Sequence, residues 1–415
     1  MTMVIKRDYY LQQLISGKSN SLIKIVTGIR RSGKSFLLFN LFHDHLIGSG
    51  IEKSHIIEIA LDDRLNKNLR NPDVILHYIH ERITDDKPYY IILDEVQMIE
   101  DFTDVLNSLL HIRNADVYVT GSNSRFLSKD VATEFRGRGD EIHLYPLSFS
   151  ELYEAVGGDR LELWKSYYTY GGLPGILELD SDKKKAAYLK SLHETVYLKD
   201  IIERNSLKNS DEFAELMRVM ASCIGSPCNP SKLENTFKSV KNETLDRKTI
   251  SKYLSYMEDA FLIEKSMRYD IKGRKYIGTL SKYYFQDIGL RNALLDFRQV
   301  EENHIMENVI YNELRSRGFY VDVGMVEARS ATERRQLEVD FVANMADRRY
   351  YIQSAFAMPN DAKREQESAS LKRIDDSFKK IIITRDDIKP YHDNNGFYIV
   401  GLMDFLLKPE LLELL

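Results

Sequence analysis

The chain has 415 residues, of which 43% are hydrophobic and 29% charged, and a net charge of -5. This composition is typical of a folded globular protein and excludes a disordered or fibrous chain, while the length predicts about two to four domains. The net negative charge excludes a broadly basic nucleic-acid coat but is compatible with local basic patches.

The first residues, MTMVIKRDYY, contain no apolar segment of an export signal. No apolar run approaches the roughly 20 residues that a membrane span needs. Cys223 and Cys228 are too few for a disulfide framework, and no nearby residues complete a zinc set. We therefore expect a cytoplasmic protein with two partly buried thiols and no membrane partner.

A glycine-rich loop follows the first predicted strand, SLIKIVTG, and precedes a segment with helical spacing, FLLFNLFHDHL. Strand, loop and helix in this order are the context that a P-loop requires. Glycines let backbone N–H groups converge on phosphate, a lysine neutralises the phosphate charge and a serine hydroxyl can ligate magnesium. We therefore predict ATP and Mg²⁺ as ligands. The residues predicted to bind them are Gly28, Ile29, Arg30, Arg31, Ser32, Gly33, Lys34, Ser35 and Phe36.

Two carboxylates follow a later apolar strand, KPYYIILDEVQ. They should emerge at the carboxyl end of the strand, where open α/β sheets bind their ligands. Asp94 is suited to hold magnesium together with Ser35, and Glu95 to take a proton from the attacking water. Lys34 and Glu95 are therefore predicted to be catalytic. Arg30 and Arg31 either contact a neighbouring domain or subunit, or cover the loop.

Two further catalytic candidates come from the next segments. Ser122 or Asn123, in DVYVTGSNS, could act as a sensor of the γ-phosphate, although these residue types also serve the geometry of a turn. Arg136 and Arg138 precede the fifth strand. Either could act as an arginine finger in its own subunit or a neighbour's, or be an ordinary surface residue. We select Asn123 and Arg138 as the candidates.

The segments TGIRRSGKS, IILDEVQ, TGSNS, FRGRGDEIHLYPLSFSEL and YGGLP occur in this order, and the set resembles predicted bacterial AAA-type ATPases with a nuclease-like C-terminal domain of unknown function. The resemblance covers nearly the whole chain. It implies an α/β protein with a P-loop parallel sheet of ASCE type, a helical lid, a winged helix and a degenerate restriction-endonuclease-like α/β domain. The predicted domains are 1–150 (ATPase core), 151–204 (helical lid and linker), 205–285 (winged helix) and 286–415 (nuclease-like domain).

Three helical segments and two strand-like runs between 205 and 285 are the pattern of a winged helix. This segment has 14 Lys and Arg residues against 10 Asp and Glu. Basic residues on the third helix and the wing could contact phosphates across one groove of DNA. Arg268 and Lys272 lie beside the wing, and the segment could instead dock a protein. The candidate DNA contacts are Arg247, Lys248, Lys252, Arg274 and Lys275.

The order of elements after 286 is that of PD-(D/E)XK nucleases, in which an acid on a helix, an Asp and a Glu-x-Lys bind metal and orient water. Glu307 and Asp340 match, but Gln353 and Ala355 stand at the Glu-x-Lys positions. We therefore expect an inactive nuclease-like domain that binds DNA or a partner protein. Because Glu338 and Asp340 share one strand face, a weak metal site is the alternative.

The leading hypothesis is a magnesium-dependent ATPase whose cycle controls the winged-helix and nuclease-like domains. One alternative is an ATP-gated DNA-binding or regulatory switch with negligible turnover. The other is a structural adaptor in which nucleotide only stabilises the fold. Whether the protein forms homo-oligomers is left open by the sequence.

Overall fold

A computed structural model of the chain describes residues 4–121, 137–241, 245–329 and 334–413. The chain forms two compact units. Unit 1 comprises Met1–Pro146 with Asp259–Phe261, and unit 2 comprises Leu147–Glu258 with Leu262–Leu415. The segments expected to be lid, winged helix and nuclease-like domain thus group together in unit 2.

Unit 1 is built on a five-stranded parallel sheet. Its strands are β1 (Ile23–Thr27), β2 (Ile56–Ala60), β3 (Tyr89–Asp94), β4 (Ala115–Thr120) and β5 (Gly139–His143). They lie in the order β2-β3-β4-β1-β5, so β4 separates the strand before the P-loop from the strand that ends in Asp94. Because all strands run in one direction, their carboxyl ends form a single edge of the sheet.

Helices cover both faces of this sheet. The described helices of unit 1 are α1 (Asp8–Ser16), α2 (Lys34–Phe36), α3 (His43–Gly48), α4 (Pro72–His80) and α5 (Phe102–Leu109). A π-helical segment, Leu37–Phe42, connects α2 to α3. Ile92 of β3 packs in the cluster with Leu38, and Ile91 in the cluster with Leu106 of α5. The central strand β3 is therefore buried on both faces, which explains its apolar sequence.

Unit 2 contains an eight-stranded mixed sheet in the order β12-β13-β11-β10-β9-β8-β6-β7. Neighbouring strands are parallel in the pairs β6 with β8, β10 with β11 and β11 with β13, and antiparallel in the other pairs. The strands are β6 (Ile263–Asp270), β7 (Lys275–Phe285), β8 (Tyr320–Arg329), β9 (Arg334–Met345), β10 (Arg348–Ala355), β11 (Lys379–Thr384), β12 (Tyr391–His392) and β13 (Tyr398–Gly401).

The helices of unit 2 come before, between and after these strands. Those described are α6 (Phe149–Val156), α7 (Arg160–Tyr170), α8 (Asp182–Leu192), α9 (Lys199–Arg204), α10 (Ser210–Ser222), α11 (Pro230–Thr236), α12 (Arg247–Asp259), α13 (Ile288–Leu294), α14 (Glu302–Ser316), α15 (Asp361–Ser368) and α16 (Leu402–Leu407). Within the described ranges of both units, no helix is long and apolar enough to cross a membrane.

The helices predicted to form a lid are part of the main core of unit 2. Phe149 of α6 and Trp164 of α7 belong to the same buried cluster as Ile305 of α14. The indole Nε1 of Trp164 also donates a hydrogen bond of 2.6 Å to Glu302. Burial of two large aromatic side chains strongly favours this packing, and these helices are an integral layer of unit 2.

The three helices and the hairpin predicted for a winged helix are present in that order, as α10, α11, α12, β6 and β7. The hairpin is not a free wing, because β6 pairs in parallel with β8. The ring of Tyr284 on β7 also stacks on Tyr311 of α14, with 4.1 Å between centroids. The predicted boundary at 285 thus lies within one continuous sheet and core.

Candidate nucleotide site

The loop between β1 and α2 has a backbone that requires glycine. Gly28 has a φ of +135°, and a Cβ at this position would lie 2.3 Å from the carbonyl oxygen of Leu144. Ser32 is fully buried, and its Oγ has no hydrogen-bond partner among the described residues. Buried polar atoms nearly always have a hydrogen-bond partner, and a ligand bound in the loop would supply one for this hydroxyl.

Lys34 is buried in the centre of this loop, with a relative exposure of 5%. Its Nζ donates hydrogen bonds of 3.0 Å to the carbonyl oxygens of Gly28 and Ile29. Burial lowers the pKa of Lys34 to about 8, although Glu95 and Asp94 partly oppose the shift. The ammonium group is therefore poorly compensated by the protein, and a phosphate would stabilise it.

Asp94 ends β3 and is buried beside the P-loop. Its carboxylate accepts hydrogen bonds from the hydroxyls of Thr120 and Ser35. Burial raises the pKa of Asp94, and these two hydrogen bonds oppose the increase. The structure thus brings together the two residues predicted to bind magnesium.

Glu95 follows β3 in the left-handed region, with a φ of +52°. Its backbone N–H donates a hydrogen bond of 2.9 Å to Thr120 Oγ1, and its carboxylate accepts one from Gln97. Non-glycine residues rarely adopt this conformation and are enriched at functional sites. Thr120 thus contacts both acids, and the sequence offers only its position at the end of β4 as a signal.

Ser35 and Asp94 fit a magnesium ion, which prefers hard oxygen ligands. In the described part of the chain, no group of three or more His, Cys, Asp or Glu side chains is arranged to hold a metal. An ion bound by Ser35 and Asp94 would therefore take its other ligands from phosphate and water, as is usual for Mg²⁺ in nucleotide sites. Its chemical contribution would be to neutralise phosphate charge.

Arg7 is a further residue of the site that no sequence motif marks. Its guanidinium group is buried and donates hydrogen bonds to the carbonyl oxygens of Tyr145, at 2.7 Å, and Ser32, at 3.4 Å. The same group lies over the ring of Tyr10, 4.7 Å from its centroid. Arg7 thus connects the start of α1 to the backbone of the P-loop.

Arg138 lies at the opposite edge of the sheet from the P-loop. Its carbonyl oxygen accepts a hydrogen bond of 2.9 Å from the N–H of Ile23, the first residue of β1. The five-residue strand β1 spans roughly 16 Å, which is more than an arginine side chain can bridge. This geometry does not support an arginine finger in the same subunit, and a role in a neighbouring subunit remains a proposal.

The other catalytic candidates from these segments, Asn123, Ser122 and Arg136, lie outside the described residues.

The predicted nuclease-like residues form a second cluster, in unit 2. The Nζ of Lys282 forms ion pairs with carboxylate oxygens of Glu307 on α14, at 2.8 Å, and Glu338 on β9, at 2.6 Å. A carboxylate oxygen of Asp340 lies 3.9 Å from the same Nζ. Tyr284 donates a 2.7 Å hydrogen bond to Glu307. The centre of the cluster is thus a lysine from β7, which the sequence did not single out.

The charge of Lys282 is compensated by the acids around it. Burial opposes the charged form of Lys282, but the fields of Glu307, Asp340 and Glu338 outweigh it and raise the pKa of the lysine. Burial and the neighbouring Glu307 raise the pKa of Asp340. The three acids therefore surround a fixed internal cation.

Gln353 does not join this cluster. Alternate residues of β10 face opposite sides of the sheet: Ile352 packs in the core that contains Ile305 of α14, whereas Ala355 packs in the core on the other side. Gln353 shares the face of Ala355 and accepts a 3.3 Å hydrogen bond from Ser370. The structure therefore does not bring the Gln353 side chain to the degenerate site, where the backbone N–H of Ser354 donates to Asp340 at 2.8 Å.

The candidate DNA contacts have exposed side chains, whereas Arg268 is buried and donates a 3.1 Å hydrogen bond to Gln336. Arg268 is therefore not accessible to a phosphate. On α12, Arg247 forms a 2.5 Å ion pair with Glu234. The exposed candidates are Arg247, Lys248, Lys252, Arg274 and Lys275.

Comparison with protein families gives two matches along the chain. Residues 20–153 match a model described as an AAA domain, and residues 161–301 match a domain of unknown function. The first match contains the P-loop and both acids that follow β3. The second crosses two of the predicted domain boundaries and, apart from Asp259–Phe261, lies within unit 2.

The chain is 34% identical to an uncharacterized protein of Haemophilus influenzae over 413 residues, covering 98% of this chain and 99% of the relative. An uncharacterized protein of Methanocaldococcus jannaschii is 28% identical over 431 residues, covering 99% of this chain and 89% of that protein. A Walker-type ATPase of Pyrococcus abyssi is similar in structure, with a TM-score of 0.48 and 16% identity over 70% of this chain and 96% of that one. The chain thus belongs to the family of the Haemophilus influenzae protein, and its first unit has an AAA-type P-loop ATPase fold.

Proposed function

We propose that the protein is a magnesium-dependent ATPase. The observation that carries this proposal is the convergence of Lys34, Ser35, Asp94 and Glu95 at the carboxyl edge of the parallel sheet. Burial has made the charge of Lys34 costly, and a triphosphate would compensate it. Two hydroxyls meanwhile hold the Asp94 carboxylate in place.

Each residue has a distinct role in this proposal. The backbone from Gly28 to Phe36 surrounds the phosphates, and Lys34 neutralises their charge. Ser35 and Asp94 would hold Mg²⁺. Glu95 orients a water molecule and accepts its proton, and the hydrogen bond from its N–H to Thr120 fixes the backbone from which it acts.

We further propose that the nucleotide state controls binding of DNA or a protein partner by unit 2, and that unit 2 does not cleave DNA. The exposed basic residues of α12 and of the β6–β7 turn support the first part. The second part is supported by Lys282, because its ammonium group is already paired with the carboxylates that an active nuclease would present to a metal.

The test is steady-state ATP hydrolysis with magnesium, alone and with single- or double-stranded DNA. Glu95→Gln should lower turnover at least 100-fold or so while ATP still binds, because it removes the proton acceptor but keeps the shape. Lys34→Ala should weaken ATP binding strongly and abolish hydrolysis. Glu81→Gln is the matched control, since Glu81 is an exposed residue after α4.

Normal hydrolysis by Lys34→Ala would contradict the proposal. Tight ATP binding with negligible turnover in the unmodified protein would instead identify a nucleotide-gated switch. If hydrolysis depends on Glu95 but DNA does not change its rate, the coupling to DNA is wrong and protein partners should be tested.

A further inference from the structure

Unit 2 contains a groove that is separate from its carboxylate cluster. The groove has a volume of about 850 Å³. Its walls are the β6–β7 turn, the β9–β10 turn and the segment 372–378. It therefore includes Lys272 and Arg274 from the predicted wing together with residues far away in sequence.

The lining of this groove is cationic although the whole chain is acidic. Six Lys or Arg side chains and four Asp or Glu side chains line it, which leaves an excess of two positive charges. Among the acids, Asp376 already accepts a 2.6 Å hydrogen bond from the hydroxyl of Tyr351. Arg274, Arg348 and Arg373 are exposed in the groove. The groove can thus attract a chain of phosphates.

Aromatic rings continue this cationic surface. The guanidinium group of Arg349 lies between two rings, 5.5 Å from the centroid of Tyr269 and 5.3 Å from that of Phe378. Tyr276 contacts Tyr269 edge to face, with 5.5 Å between the centroids. The two outer rings are accessible to solvent, since Tyr276 is 57% exposed and Phe378 is 39% exposed.

We propose that this groove binds single-stranded nucleic acid, with phosphates at its cationic walls and bases stacked on Phe378 in its lining and on Tyr276, which adjoins the lining at Tyr269. Charged grooves with exposed aromatic rings are how proteins bind single strands, because each unpaired base offers a flat face to a ring. The bases of a duplex are already stacked and cannot use the rings. An acidic peptide would bind the cations but would not use the aromatic rings.

The inference concerns unit 2 and does not depend on ATP hydrolysis. It is tested by fluorescence anisotropy on the full chain without nucleotide, using labelled oligothymidylate of about 20 nucleotides. Tyr276→Ala and Phe378→Ala should each weaken binding roughly tenfold, because each removes one stacking surface. Arg348→Gln should weaken binding mainly at low salt.

Three matched variants separate stacking from other effects. Tyr276→Phe keeps the ring and should bind like the unmodified protein, although it loses the 3.2 Å hydrogen bond to Asp322. Tyr320→Ala removes an aromatic side chain that is 72% exposed and is not part of the groove, so binding should not change. Lys34→Ala should bind the oligonucleotide normally, which separates this result from the outcome of the ATPase test.

Three results would overturn the inference. The first is unchanged binding by both Tyr276→Ala and Phe378→Ala. The second is tighter binding of a duplex of equal length than of the single strand. The third is equally effective competition by oligoglutamate, which would show that the groove is a docking surface for acidic peptides.

Discussion

Lys34 in unit 1 and Lys282 in unit 2 are both buried, and they differ in how their charge is compensated. Lys34 in unit 1 donates to two carbonyl oxygens, and burial lowers its pKa to about 8. Lys282 in unit 2 contacts Glu307 and Glu338, and the surrounding acids raise its pKa in spite of burial.

The comparison shows that a buried lysine can either attract an anionic ligand or already be neutralised by neighbouring acids. A buried cation without an equivalent counter-charge is costly until an anion binds. A buried cation among three carboxylates is already compensated and gains little from a further ligand. We therefore interpret unit 1 as organised for a phosphate ligand and the carboxylate cluster of unit 2 as a self-contained structural element.

The largest effect should come from removing the cation of unit 2. Lys282→Met leaves the buried Asp340 and the partly exposed Glu307 and Glu338 without their partner, which should destabilise the surrounding sheet by about 3 kcal/mol. Hydrogen exchange of the β7 and β9 amides, followed by mass spectrometry, measures this local stability. Lys265→Met is the control, because Lys265 is an exposed lysine on the neighbouring strand β6.

The pH dependence of this variant provides a second readout. Without Lys282, the pKa of Asp340, which burial and Glu307 already raise, should lie still further above its unfolded value. Groups with raised pKa values stabilise the fold when protonated, and this stability is lost as the pH rises through the folded pKa. The deficit should therefore be smaller at pH 5 than at pH 8, and an equal deficit would indicate lost packing alone.

An intermediate effect is expected for the pH dependence of ATP binding. With a pKa of about 8, Lys34 loses its proton as the pH rises from 7 to 9, and the free protein must regain that proton to bind phosphate. The affinity for ATP should therefore fall about tenfold over this range. Calorimetric titration at pH 7 and pH 9 measures this change in affinity. Lys34→Met should bind weakly and equally at both pH values, whereas a flat profile for the unmodified protein would contradict the lowered pKa.

The smallest effect should come from Thr120, which connects the two acids of the nucleotide site. Thr120→Val removes a hydroxyl that donates a hydrogen bond to the Asp94 carboxylate and accepts one from the backbone N–H of Glu95. Loss of these two hydrogen bonds should lower kcat about fivefold, with little change in KM. Thr120→Ser keeps the hydroxyl and should restore the rate, and failure of this rescue would assign Thr120 a role in packing instead.

The sequence predicts unit 1 well because its motifs are local. A glycine loop between a strand and a helix, and acids directly after a strand, can be placed from neighbouring residues alone. Arg138 shows the limit: it precedes β5, whereas the P-loop follows β1, and parallel pairing puts these positions at opposite edges. The buried contacts of Arg7 depend on tertiary packing that no local pattern encodes.

Unit 2 is harder to predict because its features combine distant segments. Lys282, Glu307 and Asp340 come from β7, α14 and β9, so their association cannot be read from spacing. A shift of one residue on β10 moves a side chain to the other face, so spacing alone cannot place Gln353 relative to Asp340. The groove likewise combines two turns and a later segment of the chain.

The pairing of β6 with β8 also determines how the chain can be divided. A fragment that begins after residue 285 would lack β6 and β7, and the backbone of β8 would become an unprotected sheet edge. Exposed edges of this kind pair with other chains and promote aggregation. The same fragment would lack Lys282, so its acids would repel one another. The last 130 or so residues therefore depend on the preceding hairpin to fold and stay soluble.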